Sequence, residues 1–234
     1  MRITELRLKA ADLGNQREYY AHILRLPVIS ERGGLLAIQA GDTRLVFERE
    51  DGWQGKYHFA FDVPENQFEA AKAWITQRTP LVKLNGMDSF DFKNWNAHSL
   101  YFYDAAGNIL EFIARHNQPN ASDKPFDERG LLYVSEIGLA TDDVRATVDS
   151  LCTTLRVEVY DGAGSDTFTA VGDEDGLFIV VKRGRIWYPE TGIPAEPHPV
   201  TVGLANAPEG GYNVPDLPYT IRSQHESRPL SQVV

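Results

Sequence analysis

The chain has 234 residues, 42% of them hydrophobic and 24% charged, with a formal net charge of −10. That composition is ordinary for a soluble globular protein of one or two domains with a sizeable core. The acidic balance argues against nucleic acid and anionic membrane as partners. The single cysteine, Cys152, excludes an intramolecular disulfide framework and a cysteine-cluster metal site. No apolar run approaches the roughly 20 residues that span a bilayer. The first residues, Met1 to Leu6, lack the apolar stretch of a signal peptide, so a cytoplasmic location is expected.

Ile3 to Ala10 alternate, with Leu6 and Leu8 on one face and Glu5 and Arg7 on the other. Asp12 is placed to cap a helix that runs to about Leu26 on a stripe of Tyr19, Tyr20, Ile23 and Leu24, before Pro27 stops it. Residues 35–39 and 43–49 read as strands around an Ala-Gly-Asp turn. The pattern then recurs. Residues 57–63 form a strand with His58 and Ala60 opposite Phe59 and Phe61, and Pro64 opens a helix to about Arg78. Strands near Val82 and at 90–92 lead to a hairpin over 98–115, whose turn is Asp104-Ala-Ala-Gly-Asn108.

In that hairpin Leu100, Phe102, Leu110 and Phe112 share one face. Ser99, Tyr101, Tyr103, Ile109, Glu111 and Ile113 share the other. Glu111 thus stands in mid-strand among apolar and phenolic neighbours, where a carboxylate requires a partner: a structural ion pair or a site.

Residues 119–130 are polar and proline-bearing and read as a linker. Beyond it, Val134 to Val144 aligns without a gap with Ile3 to Leu13, so Glu136 matches Glu5. Such an internal repeat implies a duplicated supersecondary unit. A hairpin over 168–182 completes this third unit. Residues 199–222 supply a fourth unit short of a helix, and 223–234 read as a mobile tail. The fold class expected is α+β, built of repeated βαβββ units whose curled sheets form cups.

The repeated unit, together with Ile3-Thr-Glu5, Tyr57-His-Phe-Ala-Phe-Asp-Val63 and Ser99 to Phe112, resembles the vicinal oxygen chelate superfamily. That group includes glyoxalase I, fosfomycin- and bleomycin-resistance proteins, methylmalonyl-CoA epimerase and extradiol ring-cleaving dioxygenases. The resemblance covers residues 1–116 well and 131–183 moderately. It implies that two units pair into a cup, with metal ligands on the first strand of each unit and the last strand of the second. Carried over, these are Glu5, His58 and Glu111, and the alternation independently turns all three away from the helix-packed faces. The expected organisation is an active domain over 1–118, a linker over 119–130, and a degenerate second domain over 131–222 that has lost its site. In that second domain Ile179 or Val180 stands in the place of Glu111.

The family's first ligand is commonly His, and here it is Glu5. A further carboxylate found in glyoxalases is replaced by Val46. One histidine with two carboxylates suits Mn²⁺, Mg²⁺, Ni²⁺ or Zn²⁺ better than the two-His iron set of ring-cleaving enzymes. The resemblance therefore implies a divalent metal ion (Mn, Zn, Ni, Mg or Fe) and a metal-dependent lyase, isomerase or group-transfer enzyme acting on a small oxygenated molecule. A metal-free sequestering protein of the bleomycin-resistance kind and a ring-cleaving dioxygenase are the alternatives. Ser99 and Tyr101 are candidate substrate contacts. Arg7 either clamps a substrate anion or pairs with Glu5. The expected partner is a small molecule, with neither nucleic acid nor membrane, in a monomer or homodimer.

Overall fold

The computed structural model describes residues 1–223. The expected mobile tail, apart from Ser223, lies outside the described residues. Four units follow one another along the chain. The first is β1 (Arg2–Ala10), α1 (Leu13–Glu18), β2 (Val28–Arg32), β3 (Leu35–Ala40) and β4 (Thr43–Arg49). The second is β5 (His58–Val63), α2 (Phe68–Thr76), β6 (Phe90–Phe92), β7 (Ala97–Tyr103) and β8 (Ile109–Arg115). The third is β9 (Tyr133–Thr141), α3 (Val144–Leu155), β10 (Val159–Gly164), β11 (Phe168–Asp173) and β12 (Gly176–Lys182). The fourth has β13 (Val200–Ala205), β14 (Gly210–Asn213) and β15 (Tyr219–Ser223), with no helix, as its Pro- and Gly-rich sequence implies.

Asp12 and Asp143 cap the two equivalent helices, accepting from Asn15 N at 2.9 Å and Ala146 N at 3.0 Å. The first helix is shorter than its apolar stripe suggests. It passes into a π turn over Tyr19–Ile23, and the Tyr20 hydroxyl donates to Asp104 at 2.9 Å. The second helix begins at Phe68 and not at Pro64, because the chain first turns on Gln67 N to Pro64 O, 2.8 Å.

Two curled sheets result. One has seven strands in the order β14-β15-β13-β1-β4-β3-β2, the other eight in the order β10-β11-β12-β9-β5-β8-β7-β6. The first unit is thus joined to the fourth, and the second to the third. The expected cup within 1–118 is not formed; the strand that pairs with β5 across the cup is β9, antiparallel. Leu6, Leu8 and Phe47 of one sheet, Phe59, Phe61 and Phe112 of the other, and the apolar stripes of all three helices make one continuous core. Burial of this apolar area is the main term holding the sheets together. At the junction Thr43 Oγ1 donates to Ile3 O (2.7 Å) and accepts from Val134 N (2.9 Å). Gly41 there has φ of 55° and is pressed onto the Leu131 and Leu132 carbonyls, which a Cβ would strike.

Candidate functional site

The eight-stranded sheet carries one row of residues across its centre. Glu136 on β9 opposes Ala60 on β5, Ala60 opposes Glu111 on β8, and Glu111 opposes Tyr101 on β7. His58 is two positions from Ala60 and shares its face. Because Ala60 is small, its side chain does not separate the two flanking carboxylates. A register shift in β9 between the partners of Ala60 and Phe61 turns Glu136 inward while Val134 and Ile137 stay in the core.

One ligand atom each from His58, Glu111 and Glu136 lies within 4.8 Å of the others. Their relative exposures are 6%, 3% and 2%, so bulk water does not solvate them and their charges require partners within the protein. His58 Nδ1 is 3.2 Å from the Ile109 carbonyl. A carbonyl only accepts, so Nδ1 carries the proton and Nε2 presents a lone pair. That nitrogen faces Glu111 Oε2 at 3.5 Å. Burial lowers the His58 pKa to about 4, so the ring is neutral near pH 7.

Glu111 is pushed well above the ordinary carboxylate range, first by burial and then by the charge of Glu136. Burial raises Glu136 too, opposed by Arg115. The Arg115 guanidinium is fully buried and bonds Glu136 Oε1 through Nη2. Its Nε also lies 3.5 Å from Asp62, another fully buried carboxylate. Asp62 is raised to about 7, chiefly by burial, with Arg115 opposing. With all groups ionised, three carboxylates face one guanidinium and a neutral imidazole. Of the two glutamates, Glu111 lacks the guanidinium contact and is the first to take a proton.

The cluster forms one wall of a cavity of about 540 Å³. Tyr101, Trp95, Phe92, Phe168, Trp187 and Tyr188 give it an aromatic lining. Trp187 comes from the segment after β12 and packs against Gly138, where a Cβ would meet its ring at 2.4 Å. Its ring centroid is 5.1 Å from that of His58.

Of the residues expected at the site, the structure brings His58 and Glu111 together, with Tyr101 lining the cavity and Ser99 buried on the same face of β7, beside Glu111. Glu5 is not among them. It belongs to the seven-stranded sheet, where it pairs with Arg7 Nη2 at 3.2 Å and Arg44 Nη1 at 3.4 Å. Arg7 is accordingly an ion-pair partner there and does not line the cavity. The physical reason is the strand order: β1 hydrogen-bonds to β13, not to β5. Glu136, the repeat's counterpart of Glu5, takes that place.

In the other sheet the corresponding row is Arg222, Gly203, Glu5 and Arg44. Thr201 stands where His58 does. A lone carboxylate between arginines offers a cation nothing. Sequence reasoning also missed Arg115, Asp62 and Trp187. Asp62 and Arg115 share strand parity with His58 and Glu111 in otherwise apolar strands, which was a usable signal; Trp187 lies in an irregular segment and gave none.

No family model matches the sequence, and no curated protein matches it at a significant level. Solved structures match its shape. A Bacillus subtilis protein provisionally described as a dioxygenase is 14% identical, with a TM-score of 0.62, covering 95% of this chain and 85% of its own. A glyoxalase I variant from Zea mays is 13% identical, with a TM-score of 0.55 and coverage of 95% and 91%. Wild-type glyoxalase I from Zea mays is 15% identical, with a TM-score of 0.54 and coverage of 86% and 74%. With its repeated units, two curled sheets and these neighbours, the chain has a glyoxalase-like fold.

Proposed function

We propose that the cup of the eight-stranded sheet holds a divalent cation through His58 Nε2, Glu111 and Glu136. On this reading the protein is a metal-dependent enzyme acting on a small oxygenated organic molecule by elimination, isomerisation or group transfer. The observation that carries the proposal is the facing of two lone-pair atoms, His58 Nε2 and Glu111 Oε2, at 3.5 Å in a buried site with excess negative charge. A proton or a cation must lie there, and one imidazole nitrogen with two carboxylates is a donor set for a hard or borderline divalent ion.

Bound there, such an ion would supply Lewis-acid polarisation of substrate oxygens. The chain's own residues do the rest. The Ile109 carbonyl fixes the His58 tautomer, the arrangement in which a ligating imidazole is oriented by its other nitrogen. Arg115 holds Glu136 by Oε1. Tyr101 sits opposite Glu111 on the cavity wall, and its hydroxyl bonds that carboxylate and holds it in place. Trp187 and Tyr188 keep bulk water from the cluster, which strengthens each charge interaction within it. Ile179 on β12 stands opposite Gly138 as Glu111 stands opposite Ala60. The fourth protein position therefore has no donor, leaving room for substrate.

Calorimetric titration of chelator-treated protein with Mn²⁺ tests this. One site per chain is expected, lost in Glu111→Gln and Glu136→Gln and retained in Glu5→Gln. Stoichiometric binding in both cup variants would overturn it. The Arg115–Glu136 contact favours a second reading, a metal-free binding cup in which the carboxylates are satisfied internally; absence of any Mn²⁺ binding by the wild-type chain selects it.

A further inference from the structure

At the wall of the cup formed by Phe168 stands an arginine that the metal cluster does not use. The Arg185 guanidinium lies over the Phe168 ring, with Cζ 5.1 Å from its centroid. Phe168 in turn neighbours Trp95, with centroids 6.4 Å apart. The backbone of Arg185 is pinned on both sides: its N–H donates to Lys182 O at 3.1 Å, and its carbonyl accepts from Ala195 N at 2.8 Å.

Its charge has no counterpart. Among the described residues, the other arginines that are not fully exposed pair with a carboxylate or a carbonyl: Arg2 with Asp42, Arg7 with Glu5, Arg78 with Trp74 O, and Arg115 with Asp62 and Glu136. Arg185 is half-buried in the cavity lining, and among the described residues no acidic side chain forms an ion pair with it. Burial lowers its pKa, with no neighbouring carboxylate to offset the effect. The remaining titratable groups of the lining, besides His58 and the tyrosines, are Lys93, exposed at the rim, and the acidic side chains of Asp91, Glu111 and Glu136.

A desolvated, stacked guanidinium that is anchored but unpaired is a receptor for a planar anion. Its fork of donors matches a carboxylate or similar group in two parallel hydrogen bonds. The six aromatic rings of the cavity match the flat faces of a conjugated molecule. We infer that the substrate of the cup is a planar, conjugated organic anion, read by Arg185 at its anionic end while its flat faces lie against the aromatic lining. This inference rests on the cup being the substrate site proposed above, but it does not depend on the metal.

The test is a tryptophan-fluorescence titration of the full chain with 3,4-dihydroxybenzoate and its neutral isostere 3,4-dihydroxybenzamide. It is run once with chelator and once with Mn²⁺. The wild-type chain should bind the benzoate at least about tenfold tighter than the amide in both conditions, the scale of one charge-assisted bidentate contact. Arg185→Gln should bring the ratio near one while leaving amide affinity and the melting temperature unchanged. Arg185→Lys should restore part of it. A ratio near one in the wild type, a ratio that survives Arg185→Gln, a ratio removed instead by Lys93→Gln, or failure of the benzoate to bind at all would each overturn the assignment. Mn²⁺ leaving both affinities unchanged would count against the metal reading alone, since the ratio is still measured without metal.

Discussion

Raising the pH of the chelated protein through neutrality should destabilise it, and adding a divalent ion should remove the effect. An ordinary carboxyl has a pKa near 4 in the unfolded chain. Asp62 is held at about 7 in the fold, chiefly by burial, and Glu111 well above its ordinary range for the same reason. Between the unfolded and folded values the native state binds the extra proton. Stability therefore falls as pH rises, by about 1.4 kcal/mol per pH unit for each such group. His58 works the other way. Its pKa is lowered to about 4, so the unfolded chain binds the extra proton, and stability rises with pH up to the ordinary value of about 6.5.

The two trends partly cancel below that point, and above it only the carboxylates act. A loss on the order of 1–3 kcal/mol over the next pH unit is expected. Urea midpoints measured with chelator, in steps across this window, read it directly. Asp62→Asn and Glu111→Gln should each flatten the slope. Saturating Mn²⁺ should remove it, because the cation displaces the Glu111 proton and binds better as pH rises, offsetting the loss from Asp62. A chelated wild-type chain whose stability is flat or climbs through this window, or a slope unchanged in both variants, would refute the charge assignment.

Gly138→Val should displace the Trp187 ring from β9, because the new side chain occupies the place of that ring. Loss of the fluorescence response to cup ligands, with far-ultraviolet circular dichroism retained, is the expected readout. Ile179→Glu should add a fourth donor where the repeat places one, tightening Mn²⁺ binding about tenfold or more by calorimetry, at a cost in melting temperature without metal. Asp104→Ala should destabilise by about 3 kcal/mol or more in urea, because the carboxylate accepts from Gln16, Tyr20, Asn108 and two backbone N–H groups.

Strand parity was legible in the sequence because it is local. Knowing that Phe59 and Phe61 face a core suffices to turn His58 and Ala60 the other way, and Glu111 follows from Leu110 and Phe112. The internal repeat was legible too, and it already aligned Glu136 with Glu5. Which units share a sheet was not legible. Hydrogen bonding of β9 to β5 and of β13 to β1 is a property of strands more than seventy residues apart in sequence, and the local pattern of each edge is compatible with either partner. One wrong choice of partner moved Glu136 out of the expected cup and put Glu5 into it. The arginine behind the cluster was hidden for a related reason. Arg115 ends a strand, where a charged residue ordinarily marks the exit to solvent, and the third unit's Glu136, with Asp62, makes its burial tolerable.

The central claim is that His58, Glu111 and Glu136 together hold a divalent cation. Anomalous diffraction from crystals of the full chain grown with Mn²⁺ tests it most directly. The account predicts a single strong peak between His58 Nε2 and the two glutamate carboxylates, absent from Glu136→Gln crystals. A peak at Glu5, or none in the cup at saturating Mn²⁺, would contradict it.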